Sequence, residues 1–171
     1  MHQLWISHLL LCVLLSGCGV RLATMTGSQK VAKLNSERAR ITRLSDPVRK
    51  TRSYILVSRI LLDLTFSAAA AGDVSRVAPL LKQYTDAILA ARDTIVDSDR
   101  SAEKDASGFK DLELALRENL RHLQDLSRSL SFDQREPVEE ALAAASSIRD
   151  EMIRVLFPRR ARLEPMMQRW N

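Results

Sequence analysis

A chain of 171 residues with 46% apolar and 27% charged side chains holds material for one globular domain and not for two. Five Gly and five Pro are too few for an all-β fold, which turns every few residues, and too few for a glycine-rich nucleotide-binding scaffold. Leu, Ala, Arg, Asp, Glu and Ser dominate while aromatics reach only 5%, which is the composition of a helical protein.

Residues 4–15 are almost wholly apolar. A mature transmembrane helix needs about 20 such residues, so the run reads as the core of a signal peptide spanning residues 1–17. No Lys or Arg precedes it, only the Met1 amine and His2. Leu15-Ser16-Gly17-Cys18 follows directly. An aliphatic residue, two small residues and a cysteine in this position resemble the lipobox of bacterial lipoproteins. The resemblance implies that Cys18 receives a diacylglyceryl thioether, that the chain is cut between Gly17 and Cys18, and that the new amino group is acylated. Gly19 rather than Asp follows the cysteine, which by the same resemblance implies the outer membrane, facing the periplasm. Cys12 then leaves with the leader and Cys18 is consumed by lipid, so no thiol remains for a disulfide or a metal. Three acyl chains, at about 0.8 kcal/mol per buried methylene, exceed what stable anchoring requires. That covalent lipid is the only cofactor expected.

Charge is unevenly spread. Between residues 19 and 53 there are nine Lys/Arg against two acids; between 54 and 157 there are thirteen against eighteen; the tail from Pro158 carries four against one. The overall +5 is thus a property of the flanks. A basic segment beside a lipid anchor suits anionic head groups, each cation contributing on the order of 1 kcal/mol. Nucleic acid is not an expected partner, because the central part is acidic and lacks interleaved aromatics for stacking bases.

Residues 18–44 read as the lipidated N-terminus and a basic tether. Within it, 28–43 bears Val31, Leu34 and Ile41 with Leu44 just beyond, a pattern for a short amphipathic helix on the membrane surface or on the bundle. Four longer helices are expected over 45–157 from their hydrophobic period. The first covers about 46–71, with Ser45 placed to cap it, Pro47 in its first turn and Tyr54, Val57, Leu61, Leu64, Ala68 and Ala71 on its seam. Gly72 stops it and Asp73 caps the next, a turn so short that the two helices pack antiparallel. The second, about 74–96, shows Val74, Val77, Leu81, Tyr84, Ile88, Ala91 and Ile95, with Pro79 early enough to kink it only slightly. A polar loop over 97–107 precedes the third, whose seam is Phe109, Leu112, Leu116, Asn119, Leu123, Leu126 and Leu130. The fourth opens with Asp133 and Glu136 in capping-box spacing and runs through Val138, Ala141, Ala145, Ile148, Met152 and Val155 to Pro158.

The expected fold is all-α: an antiparallel up-and-down four-helix bundle with left-handed, coiled-coil-like crossings. The alternative is a pair of helical hairpins, since Ala70-Ala71-Gly72-Asp73 is similar to the turn of a tetratricopeptide repeat. Against that, the third and fourth helices do not repeat the sequence of the first two.

Signals for catalysis are mostly negative. After leader removal His122 is the only histidine, and the residue three before it is Asn119, so the Glu-x-x-His motif of a di-metal bundle fails. Asp97-Ser98-Asp99 begins like a calcium loop, but Ala102 and Gly108 stand where Gly and Glu are needed. Glu139 and Glu140 fall in a helix's first turn, where carboxylates complement the macrodipole. Asn119 interrupts an otherwise leucine-filled seam and reads as a register-fixing residue, with a ligand contact as the sharper alternative. The first helix carries Ile55, Leu56, Leu62 and Phe66 beyond its seam, a stripe so wide that the helix is buried on more than one side or offers a face to a partner. The tail bears Arg159, Arg160, Arg162, Met166, Met167 and Trp170, a disordered terminus in preference to a membrane-interface or short binding motif.

The reading is a lipid-anchored, non-enzymatic envelope protein, an adaptor that presents its bundle to another envelope protein. A carrier or sensor of an apolar ligand between the helices is the alternative. Oligomeric state and pathway are not legible.

Overall fold

The computed structural model describes residues 24–158. Gly17 and Cys18 of the lipobox, and the tail from Arg159, lie outside the described residues.

The all-α expectation holds: among the described residues five α-helices, joined by turns, form a helical bundle. Helix α1 (Gly27–Ile41) opens on a capping box in which the Thr26 hydroxyl accepts from Gln29 N–H and the Gln29 side chain accepts from Thr26 N–H. Helix α2 (Pro47–Ala70) is capped by Asp46, whose carboxylate accepts from Arg49 N–H at 2.9 Å. The cap is therefore Asp46 and not Ser45, with Pro47 at the first helical position, where no donor is missed. Gly72 ends α2 at φ +72°, and the bonds Asp73 N–H to Ala68 O and Gly72 N–H to Ala69 O close the chain-reversing motif expected there.

Helix α3 (Val74–Val96) follows, with Asp73 ahead of it. The Asp73 side chain accepts from the Ser75 hydroxyl and not from the helix backbone, so it does not act as the expected cap. Helix α4 (Phe109–Ser129) starts at Gly108, which holds φ +78°. Helix α5 (Glu136–Leu156) starts two residues later than the Asp133–Glu136 spacing implies. Residues Phe132–Gln134 form a 3₁₀ turn, and Arg135 precedes α5 without a side-chain cap. Pro137 explains the late start, since it suits the first turn of a helix and no later one.

Ion pairs give the helix directions. Arg52 meets Asp111 at 2.7 Å and Arg59 meets Glu118 at 2.7 Å, so α2 and α4 lie side by side and parallel. Arg92 pairs with Glu151, and Ala78 and Lys82 share a groove with Pro137 and Glu140, so α3 and α5 are also parallel neighbours. Hairpin α2/α3 thus packs against hairpin α4/α5 through equivalent helices. The chain crosses between them in the 97–108 loop, pinned by Arg100 to Asp46 at 3.0 Å and to Asp105. Neighbours in space are accordingly not all neighbours in sequence, as they would be in a simple ring.

Helix α1 lies on α2 and reaches α3 through Arg38 and Gln83. Helix α2 therefore touches α1, α3 and α4. This explains why it alone among the described helices is long and apolar enough to cross a membrane, with mean hydropathy 1.3 over its most apolar window. Its buried hydroxyls bond backbone carbonyls: Thr65 to Leu61 O, Ser58 to Ile55 O, and Thr51 across to Ala91 O. It is built as the core helix of a bundle.

Candidate functional site

The wide stripe of α2 is largely absorbed by the chain itself. Ile55 and Leu62 are buried, while Leu56 and Phe66 are half-buried against the core. Helix α2 has neighbours on three sides, Ile55 and Leu62 pack into the bundle, and of the four only Leu56 and Phe66 keep appreciable exposure.

Leu56 belongs to a shallow groove of about 320 Å³ between α2 and α4. Its floor is Ile55, Leu56, Leu114 and Ala115, and its rim holds Arg52, Asp111 and Arg59. Leu114 is exposed on this face. Sequence reasoning passed over Leu114, because it lies off the Leu112/Leu116 seam. A second groove of about 640 Å³ runs between α3 and α5 over Ala78, Pro79, Leu81 and Pro137, flanked by Lys82, Asp86 and Glu140. Both are open grooves with an apolar floor and a charged rim, suited to a side chain or helix edge.

Phe66 makes an edge-on contact with His122, ring centroids 6.1 Å apart at 83°. His122 is exposed on α4, so its imidazole is a surface ring beside an aromatic. Asn119 is buried at 2% exposure, as its seam position required. Tyr84 is fully buried on α3, and neither its hydroxyl nor Asn119 Nδ2 has a hydrogen-bond partner. Burial pushes the Tyr84 phenol well up from its ordinary value, the nearby Asn119 side chain opposing this only in part. A phenol so placed stays neutral.

Buried charge is concentrated in two places. Glu113 on α4 is bound by Arg117 one turn on, at 2.8 Å, and approached by Arg149 of α5 at 3.3 Å. Two guanidiniums meet that carboxylate, a brace between α4 and α5. Glu37 on α1 is met by Lys33 at 2.8 Å, Arg40 at 3.5 Å and Ser53 of α2. Burial alone would raise its pKa, but these partners prevail and lower it. Lys30 of α1, also buried, pairs with Asp63 of α2.

Among the described residues no group of three or more His, Cys, Asp or Glu is placed to hold a metal ion. Glu139 is exposed, Glu140 edges the α3/α5 groove, and the two do not converge with Asp97 and Asp99, which sit at the far ends of α3 and its loop. Phe132 and Phe157, which the helical period did not single out, are both strongly exposed. No protein-family model, curated protein or solved structure matches the chain.

Proposed function

We propose that this chain is a lipid-anchored protein of the bacterial cell envelope, attached through Cys18, whose bundle acts as a non-catalytic adaptor for another envelope protein. The observation that carries the reading is the apolar run 4–15 ending in Leu15-Ser16-Gly17-Cys18. Gly19 after the cysteine favours the outer membrane, facing the periplasm. The α2/α4 groove supports the adaptor role: Leu56 and Leu114 offer a small apolar floor, and the rim presents both signs of charge. An apolar centre within a polar rim is the anatomy of a transient protein interface.

Two measurements test this. Cys18→Ser is expected to move the protein from the membrane to the soluble fraction and to abolish acyl labelling; tight membrane retention would overturn the anchor. Photocrosslinking in cells from positions 56 and 114 is expected to capture one reproducible envelope protein. Capture of lipid alone at both positions would overturn the adaptor reading and favour a bundle that handles apolar ligands.

A further inference from the structure

The five helices run alternately, so the ends of the bundle differ in what they hold. One end gathers the start of α1, the α2–α3 turn and the α4–α5 turn. Gly27, Ser28 and Val31 line a pocket with Ala71, Asp73 and Arg76, which places the start of α1 beside the first turn. The parallel pairing of α2 with α4 and of α3 with α5 places the second turn at the same end. The opposite end holds the α1–α2 turn, the 97–108 loop and the end of α5, joined by the Arg100–Asp46 pair.

The first end carries the most exposed large apolar side chain among the described residues. Phe132, in the 3₁₀ turn Phe132–Gln134, is 88% exposed, and Val74 and Val31 are exposed at the same end. A phenyl ring presented to water on a tight turn gains nothing for the fold. At the same end stand Arg76, Arg128 and Arg135 with Asp73, Asp125, Asp133, Glu136 and Glu139, so the tip carries an excess of acid. The long sides are different: Arg52–Asp111, Arg59–Glu118 and Lys82–Asp86 cover them with paired charge.

Chain length ties this end to the anchor. Cys18 and Thr24 are six steps apart along the chain, a reach of at most about 21 Å at roughly 3.5 Å per step. A 24-residue helix such as α2 is about 36 Å long. The lipid therefore lies within reach of the Phe132 end, and the Phe157 end is a helix length further away.

We propose that the bundle stands end-on at the bilayer, with Phe132 seated in the lipid interface as a second, non-covalent contact. This inference rests on the lipid-anchor reading and adds to it an orientation and a lipid-contacting residue. The occupant is a phospholipid surface: an unpaired aromatic ring on an exposed turn within reach of the anchor suits the head-group boundary. The excess of acid around the tip makes the contact stronger on zwitterionic than on anionic lipid.

The test places the photoreactive p-benzoylphenylalanine at position 132, and separately at 157, in the full chain expressed in a Gram-negative host. Both side chains are strongly exposed, so neither change disturbs the core. The expected result is a phospholipid adduct at 132, none at 157, and loss of the 132 adduct in Cys18→Ser. A protein adduct, or no adduct, at 132 in a chain that is acylated and membrane-bound would overturn the orientation and leave the anchor reading standing. A chain that is neither acylated nor membrane-bound would overturn both. Phospholipid captured equally at 132 and 157 would show a bundle lying flat and would overturn the end-on geometry.

Discussion

Gly108 sits at φ +78° and ψ −54°, and a Cβ there would lie 2.6 Å from Ile95 Cδ1 and 3.0 Å from Cγ1. Ile95 is itself fully buried, so it has little room to yield. Gly108→Ala is expected to destabilise the protein by about 2 kcal/mol, combining the left-handed backbone with overpacking. Gly72→Ala, at φ +72° with open space around it, is expected to cost only about 1 kcal/mol. Urea denaturation of the two variants separates the steric part from the conformational part. At Asn119 the sign reverses. Its Nδ2 and the Tyr84 hydroxyl are buried and unpaired, so Asn119→Leu combined with Tyr84→Phe is expected to raise stability by about 1–2 kcal/mol. A thermal scan checks it, and a fall in the melting temperature would mean that the polar pair fixes helix register after all. The burial of Asn119 was legible in its seam position; the absence of a partner was not, because it depends on how Tyr84 arrives from another helix.

Helix α1 shows where the hydrophobic period misleads. Val31, Leu34, Ile41 and Leu44 suggest an apolar face, yet the buried set is Lys30, Leu34, Glu37 and Ile41, and Val31 is exposed. The partner that makes burial of Lys30 tolerable, Asp63, lies on α2 and is invisible from α1 alone, whereas Glu37 is held chiefly by Lys33 and Arg40 of α1 itself, with Ser53 of α2 adding to them. Docking of α1 is therefore sensitive to acid. Glu37 has its pKa lowered from 4.5 in the fold, so its contribution is complete above that pH and is lost as pH falls through the lower folded value. Hydrogen exchange of α1 amides is expected to quicken over that range before the other helices respond, and Glu37→Gln is expected to remove that part of the dependence. The start of α5 was misread for a related reason. Asp133 and Glu136 have capping-box spacing, but Pro137 and the 3₁₀ turn at Phe132 move the first helical turn onward.

For the molecule as a whole, a 3.6-residue period tells each helix which side is apolar but not which helix will cover it. The tight Gly72 turn was readable because its left-handed glycine forces an antiparallel hairpin. The pairing of α2 with α4 and of α3 with α5 was not, since it depends on the path of a polar loop and on charges such as Arg59 and Glu118 that look like ordinary surface residues. With twelve buried residues, more than any other described helix, α2 is the last element to open. Native-state hydrogen exchange is expected to rank α2 most protected and α1 least. The surplus apolar stripe of α2 was legible as burial on several sides, and only its Leu56 and Phe66 edges keep exposure, Leu56 in the α2/α4 groove.

An odd number of alternating helices also decides how the protein bears load. The described chain enters at one pole and leaves at the other, so tension between the N-terminal side and the C-terminal side runs along the helix axes. Helix α1 must then slide lengthwise past α2, straining the Lys30–Asp63 pair and the Glu37–Ser53 contact together instead of peeling them one at a time. A hairpin gripped at adjacent ends unzips at low force; this arrangement is a lap joint loaded in shear, the stronger geometry for a tether between two bodies that drift apart.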